Sequence, residues 1–480
     1  MKISNRTLSR RRWLVLAMAA ASASAIPGRL WADSDRDDET SDDDHHYSDR
    51  GSNTGDTSNP ISNSGPSGRV VVVGGGMAGA TVAKYLRLWG GANMGVTLVE
   101  PDVAYTSNIM SNLVLNGTLS TKQLAYGHDE LVSRYGVVRR SARVMALDAA
   151  NRHVSLSDGT SLSYDRLVVA PGVEFMPAYG LSTRDYDSKT PHAWRAGAQT
   201  DLLKLQLDAM VDGDIFVMTI PLAPYRCPPG PYERACLIAD TLKNTGRGNC
   251  KVVVLDENAG IQAERESFSH AFSVIHGGVI DYRPGVSGIS INPDTKVVSY
   301  DNGAVTISAR VVNPIPAHRA AGIGAGDLDD ADQGGWLAQA GLNNSSSGRW
   351  CVVNVLSYES TAVPYVHVIG DAALCGLPKA GHVGNQEAKI CADAIVRLLD
   401  GAQPDAQPVA NSACYSPITA NTASWLTAVY QYDAASTKMM VAANRGSTVG
   451  AGAVEAANIS NKNYRQMFTW FHTLMADSFS

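Results

Sequence analysis

The sequence predicts an α/β fold: two Rossmann-like dinucleotide-binding domains followed by a smaller C-terminal α+β domain. Three observations carry this reading. The first is the stretch from Arg69 to Glu100. A β-branched run at residues 70–73 leads into Gly74, Gly76 and Gly79 at G-x-G-x-x-G spacing. A helical stripe through Val82, Leu86 and Trp89 follows, and then a second strand ending at Glu100. The second is a further strand–helix–strand pattern at residues 214–220, 232–242 and 251–256. The third is Val366-His-Val-Ile-Gly-Asp371, an apolar strand that delivers Gly370 and Asp371 at its end.

In chain order, residues 1–32 carry six basic groups and no acid, with Ser9-Arg-Arg-Arg-Trp-Leu14 ahead of an uncharged run rich in Ala and Ser. That pattern predicts a signal peptide of twin-arginine type, hence a periplasmic protein exported already folded. Its apolar core is too short for a membrane helix, and no later apolar run is long enough to span a bilayer. Residues 33–56 hold ten acids against two arginines, and Ser, Asn and Gly dominate up to residue 68. A segment so poor in apolar residues cannot offset its ordering entropy, so 33–68 is expected to be a disordered linker. Within it, Asp42-Asp-Asp-His-His46 reads as a solvated acidic tether rather than a metal site. The formal charge is −6, with nothing like the basic face of a nucleic-acid-binding protein.

The body begins at the glycine fingerprint. Gly74 makes the tight turn, Gly76 lets a pyrophosphate approach the backbone, and Gly79 lets the helix lie close to the strand. The helix N-terminus attracts the phosphate, and Glu100 is placed for a ribose hydroxyl. Tyr164-Asp-Arg-Leu-Val-Val-Ala-Pro-Gly172 is a further strand, closing on Ala170 and Gly172 in a tight turn. Asp371 can reach a ribityl hydroxyl.

This order resembles the disulfide reductase-type flavoproteins, which have two dinucleotide-binding domains and the glutathione reductase-type fold. The resemblance implies FAD on the first fingerprint and a nicotinamide cofactor on the inserted domain. The inserted domain departs from that pattern. Its first turn reads Pro221-Leu-Ala-Pro-Tyr-Arg-Cys-Pro-Pro-Gly-Pro-Tyr-Glu-Arg234, with five prolines where a pyrophosphate loop needs N–H donors. The βαβ frame is kept and the nicotinamide site is lost. Cys227 stands there instead, next to a helix start that would stabilise a thiolate.

Arg226-Cys-Pro-Pro-Gly-Pro-Tyr-Glu-Arg234 resembles the active-site segment of the flavoprotein subunit of flavocytochrome c sulfide dehydrogenase. Pro191-His-Ala-Trp-Arg-Ala-Gly-Ala-Gln-Thr200, Pro378-Lys-Ala-Gly381 and Ala413-Cys-Tyr-Ser416 extend the resemblance to the C-terminus. It implies a redox-active disulfide between Cys227 and Cys414 beside the flavin. Two departures stand out. Many members attach FAD through a cysteine in the segment matching residues 107–111; Asn108 is there in this chain, so FAD is expected to bind noncovalently. A family tyrosine after Pro-Lys-x-Gly is His382, which removes the basis for an electron-relay role at that side chain. Trp470 matches a family tryptophan near the flavin.

The other five cysteines read as buried core thiols. Glu233, six residues after Cys227, fits two roles: a proton acceptor for the incoming sulfur, or a carboxylate on the helix dipole. Lys379 fits either the flavin edge or the surface. Gly384 is expected to open a helix whose positive end faces the reduced ring. Tyr464, Met467, Phe468, Phe471 and Met475 recur at helical spacing, and too few bases accompany them for a membrane anchor, so packing is expected.

The resulting domain scheme is signal peptide 1–32, linker 33–68, FAD-binding domain 69–176 and 308–402, second Rossmann-like domain 177–307, and C-terminal domain 403–480. The resemblance implies an exported FAD-dependent sulfide dehydrogenase whose electron acceptor is a c-type cytochrome, either a subunit or a soluble one. No Cys-x-x-Cys-His occurs, so any haem belongs to the partner, and no metal site is expected. Two other readings stay open: a quinone-reducing relative of the sulfide:quinone oxidoreductases, and a non-enzymatic flavoprotein relay.

Overall fold

A computed structural model describes residues 61–62, 64–324, 334–442 and 453–480. The signal peptide, the acidic run and Asp42–His46 lie outside the described residues. The final residues of the expected linker do not behave as a tether: Ile61 is buried, and Ser62 O accepts the N–H of Ala92 at 2.8 Å.

Strand β1 (Gly68–Val73) feeds helix α1 (Met77–Gly90), which returns to β2 (Met94–Val99). The valines of β1 are buried on both faces, as a central parallel strand requires. Strands β3 (Val138–Arg140) and β4 (Arg166–Val169) extend the sheet on either side. Its parallel centre, with β9 (Val366–Val368) as the outer member, runs β9–β4–β1–β2–β3. Three short strands, at Glu359–Ser360, Cys351–Asn354 and Ala373–Leu374, complete eight. Two stretches separated by some 190 residues of sequence thus build one sheet.

The insertion has its own parallel sheet. It contains β5 (Ile215–Ile220), β6 (Lys251–Asp256), β7 (Ile280–Pro284) and β8 (Val311–Pro314), in the order β7–β6–β5–β8. Helix α2 (Gly230–Asn244) joins β5 to β6. It starts two residues earlier and ends two later than its apolar stripe suggests, because prolines are tolerated in a first helical turn. The domain boundary expected at residue 307 is corrected: β8 belongs to the second sheet, paired with β5, although it lies beyond that point.

The C-terminal part pairs β10 (Val409–Pro417), β11 (Ala423–Asp433) and β12 (Lys438–Val441) antiparallel, with β13 (Val454–Glu455) on β11. Helix α5 (Asn461–Phe479) then packs back on α1, where Thr81 Oγ1 meets Ser478 Oγ at 2.9 Å and Tyr85 OH donates to Asp477 at 2.6 Å. Met467, Phe471 and Met475 are buried in that contact, so the apolar stripe of α5 is core. Among the described residues no helix is long and apolar enough to cross a membrane.

Candidate functional site

The glycine fingerprint has the geometry of a dinucleotide cradle. Gly74 has φ 95°, and a Cβ there would stand 2.3 Å from Ala170 O. A Cβ on Gly79 would stand 1.7 Å from Gly74 O, so only glycine allows α1 to sit this close to its strand. Gly76 is different: its Cβ would meet only the Tyr105 ring at 3.6 Å, leaving the approach open. Gly172 (φ 72°) also faces open space. Glu100 accepts the N–H of Gly75 at 2.6 Å and that of Asp102 at 2.9 Å, fixing its carboxylate at the end of β2.

Across the sheet, helix α4 (Gly381–Leu399) follows β9. The expected start at Gly384 is corrected. Ala380 is the extended N-cap and Gly384 lies one turn inside, where its Cβ would be 3.4 Å from that of Ala78 on α1. The role of Gly384 is therefore close helix packing, and Gly381 opens the helix. Gly370 has φ 71° and gives its N–H to Glu387 at 2.5 Å. The Asp371 carboxylate makes no protein hydrogen bond among the described residues, which leaves it available for a ligand hydroxyl. Burial raises its pKa, and Arg226 and Lys379 counter this. Lys379 is not a surface lysine: it is buried, its Nζ donates to Asp371 O and Ala373 O, and it lies 3.8 Å from the Trp350 ring centre. Open glycines, a free acid and a helix start together fit FAD.

The proline loop after β5 faces this cradle. Cys227 sits in it with φ 59°, a left-handed conformation that costs a non-glycine residue about 1–2 kcal/mol. Its N–H donates to Lys379 O at 2.7 Å, latching the loop to the residue that precedes α4. Arg226 donates to Trp194 O and, at 3.5 Å, to Asn108 Oδ1, which also accepts the N–H of Ala196 at 2.9 Å. The Asn108 side chain is thus engaged in tying three segments together.

Cys414 on β10 completes the set. Its thiol is pushed well up, first by burial and then by Cys227, Glu264 and Glu233, so these four groups share one environment. Both cysteines are free thiols here, not the disulfide that the resemblance implies. The expected stabilised thiolate at Cys227 is corrected as well: burial and the neighbouring Glu233 push that thiol up to about 12 and outweigh the helix start.

Glu233 is buried in the first turn of α2 and accepts from Asn112 Nδ2 at 2.9 Å. Burial pushes its carboxyl up to about 8, with Asn112 opposing. A carboxyl titrating there exchanges protons near neutral pH, which favours the proton-transfer role over a simple dipole contact. Sequence reasoning missed the groups around it. Arg234 is fully buried, donates to Asn112, His192, Asn313 and Ala193, and lies 4.7 Å from the Trp194 ring centre. Glu264 is the other omission; nothing in Gln262-Ala-Glu-Arg-Glu266 distinguishes it from a surface acid.

His382 Nδ1 accepts the N–H of Ala413 at 3.0 Å, beside Cys414, and burial holds the imidazole down at about 4. Trp470 packs against His382 and Tyr415, at 6.0 and 5.4 Å between ring centres. Among the described residues no group of His, Cys, Asp and Glu is arranged to hold a metal ion. A groove of about 710 Å³ lined by Ile215, Lys251, Ile280 and Ser308 lies at the opposite, N-terminal end of the second sheet. Ligands of open α/β sheets bind at the C-terminal ends, where Cys227 is.

Three family models match the chain. Residues 68–208 match the pyridine nucleotide-disulphide oxidoreductases, residues 200–316 the central part of the sulfide dehydrogenase (flavocytochrome c) flavoprotein chain, and residues 406–479 the flavin-binding part of flavocytochrome c sulphide dehydrogenase. The sulfide dehydrogenase flavoprotein chain of Chlorobaculum thiosulfatiphilum is 54% identical over 46 residues, which is 10% of this chain and 94% of that sequence. The chain belongs to the flavocytochrome c sulfide dehydrogenase flavoproteins.

Members of this family are FAD-dependent oxidoreductases acting on sulfur compounds. More distant relatives are ferredoxin reductases. One from Castellaniella defragrans is 39% identical over 106 residues, or 22% of this chain, and one from Paraburkholderia xenovorans is 30% identical over 139 residues, or 29% of this chain. The matches span only 26% and 33% of those reductases' own lengths. The sulfide:quinone oxidoreductase of Aquifex aeolicus has the same fold, with TM-score 0.65 at 15% identity over 85% of this chain and 92% of that one. The central-domain match ends at residue 316, just past β8, in agreement with the corrected boundary.

One glycine of the family segment is explained by the sulfur. A Cβ on Gly230 would stand 2.8 Å from Cys227 Sγ and 3.0 Å from the Trp194 ring. Its φ is not left-handed, and alanine is the better helix former by about 1 kcal/mol. Gly230→Ala is therefore expected to leave the melting temperature within a few degrees of wild type while displacing the thiol. Alkylation of Cys227, followed by mass spectrometry, should change rate severalfold.

Proposed function

We propose that this protein is an exported FAD-dependent sulfide dehydrogenase that passes electrons to a c-type cytochrome. The observation that carries the reading is Cys227 in the turn where a nicotinamide-binding domain would hold pyrophosphate, sharing its environment with Glu233 at the start of α2 and Cys414 on β10. The Ser9–Leu14 pattern supports export by the twin-arginine route to the periplasm. Gly74, Gly76, Gly79, Glu100 and Asp371 would hold FAD, without a covalent link because Asn108 offers no sulfur.

In the oxidised enzyme Cys227 and Cys414 form a disulfide. Hydrosulfide attacks the Cys227 sulfur, forming a persulfide there and releasing the Cys414 thiolate. The left-handed backbone at Cys227 and its N–H bond to Lys379 O hold that sulfur in a fixed position. The departing thiolate lies in an environment that strongly favours the thiol, so it draws a proton from Glu233, which is mostly protonated at pH 7. Arg234 and Asn112 keep Glu233 oriented. A second hydrosulfide takes the sulfane sulfur as hydrogen disulfide and leaves the Cys227 thiol; FAD, when bound, would supply the two-electron acceptor for re-forming the disulfide, with the two thiol protons released. The prolines of the loop remove N–H donors that NAD(P)H would need, which leaves one-electron delivery to a haem partner as the fitting outlet.

The test is steady-state reduction of cytochrome c by sulfide, with and without an added quinone. Cytochrome reduction that needs no quinone supports the proposal. Electron transfer only to quinone supports a quinone-reducing enzyme. No sulfide-dependent flavin reduction at all leaves the relay reading. Acid precipitation of the holoprotein is expected to release all flavin into the supernatant, read by its absorbance; flavin retained in the pellet would contradict the noncovalent site.

A further inference from the structure

Glu264 takes no part in the reaction above, yet it is built into the same site. It caps helix α3 (Arg265–His270) in a left-handed conformation, φ 50°, and is 2% exposed. Its Oε1 accepts the Ser416 hydroxyl at 2.6 Å, and its Oε2 is buried with no hydrogen-bond partner. Ser416 lies two residues after Cys414 on β10, hence on the same face of the strand. Directly across from Ser416, on β11, is Ser424, which with Ser416 opposes the rise of the Glu264 carboxyl's pKa. Ser424 Oγ is 2.8 Å from Ser267 Oγ, and Ser267 Oγ is 3.1 Å from Glu455 Oε2 on β13. Glu264 and the three serines are buried, whereas Glu455 is half-buried. A polar file thus runs from the cysteine site to the protein surface.

We propose that Glu264, Ser424, Ser267 and Glu455 form the path by which protons leave the cysteine site. The inference rests on the proposed sulfide chemistry. Hydrosulfide and the disulfide give a persulfide R–S–S–H and a thiolate, with no oxidant consumed. When the persulfide ionises, its S–H bond breaks, the electron pair stays on sulfur, and the proton has to cross a buried region. Glu233 passes it on and an O–H bond forms at the Glu264 carboxylate. Each serine hydroxyl then gives its proton to the next acceptor and takes one from the group before it. The proton passes by way of Glu455 to water, the serines are unchanged, and Glu264 is again a carboxylate.

The titratable groups facing Glu264 are Glu233 and Cys236 from α2, Cys414 from β10 and Glu455 from β13. Burial, with Glu455 adding to it, holds the Glu264 carboxyl at about 7 against Ser416 and Ser424. It can therefore both take and release a proton near neutral pH.

Two variants test the path. Glu264→Gln keeps the acceptor for Ser416 and removes the titration; Ser267→Ala cuts the file without touching Glu264. The readouts are stopped-flow flavin reduction by sulfide across pH 5.5–9, as a practical range, and infrared difference spectra of flavin-free protein over the same range. In wild type the rate is expected to rise with pH through about 7, with a protonated-carboxyl band disappearing in step. Glu264→Gln should lose that band and that limb and slow the reaction at least about tenfold at neutral pH. Ser267→Ala should slow it while keeping the band. Reduction by dithionite should be unchanged in both. A wild-type rate in Glu264→Gln, a uniform slowing with the pH profile intact, a band that does not titrate, or a wild-type rate in Ser267→Ala would each overturn the path. Failure of the sulfide chemistry itself reads differently, as absence of sulfide-driven flavin reduction in the wild type.

Discussion

Replacing either Cys227 or Cys414 by serine is expected to abolish flavin reduction by sulfide while dithionite still reduces the flavin fully. The two thiols share an environment with Glu233 and Glu264, and neither has another cysteine to replace its partner: the remaining five are buried in strands, helices and their packing. A serine hydroxyl forms no disulfide, so the loss should exceed about a thousandfold, as for other groups that act as a unit. Stability should change little at Cys227, which is only half-buried and held by its backbone N–H rather than its sulfur. Stopped-flow absorbance with each reductant separates the outcomes. Near wild-type sulfide turnover in either variant would make the pair structural and remove the proposed mechanism.

The second large effect is at the fingerprint, where two glycines answer different questions. Gly79→Ala puts a Cβ 1.7 Å from Gly74 O, a backbone atom that cannot swing aside. Helix α1 would have to leave β1, and its contacts with α4 and α5 would go with it. Overpacking of this kind costs about 1–3 kcal/mol or more, so the protein is expected to lose flavin and stability together. Gly76→Ala meets only the Tyr105 ring at 3.6 Å. That variant should fold with a near wild-type melting temperature and bind FAD more weakly, because the added methyl occupies the pyrophosphate approach. Melting curves of the apoproteins and flavin titration distinguish the cases. Equal behaviour of the two variants would contradict the separate roles assigned to them.

Much of the fold is written in local patterns. The run Val70–Val73, the three glycines and the stripe on α1 follow from strand burial and helix periodicity, which act within a few residues. The second βαβ unit and the shortage of N–H donors in its first turn are equally local, because proline lacks an N–H wherever it stands. Cys227, Cys414 and Glu233 were legible through the resemblance, and the structure puts them in one environment. The state of those groups was not legible. The helix start beside Cys227 favours a thiolate, but burial acts against any charge there and wins. Only the assembled core sets how much water is removed.

The sequence alone determined the glycine cradle, the second strand–helix–strand unit and the five prolines in its first turn, since each depends on short-range geometry or on which atoms a side chain carries. Tertiary structure decided the rest. It gave β8 to the second sheet, because strand pairing joins residues about a hundred positions apart. It buried Lys379 under Trp350 and moved the start of α4 to Gly381. It also brought Glu264 beside Ser416 across 152 positions of sequence. A carboxyl that reads as a surface acid in its own segment becomes part of the site only when distant strands close over it and remove its water.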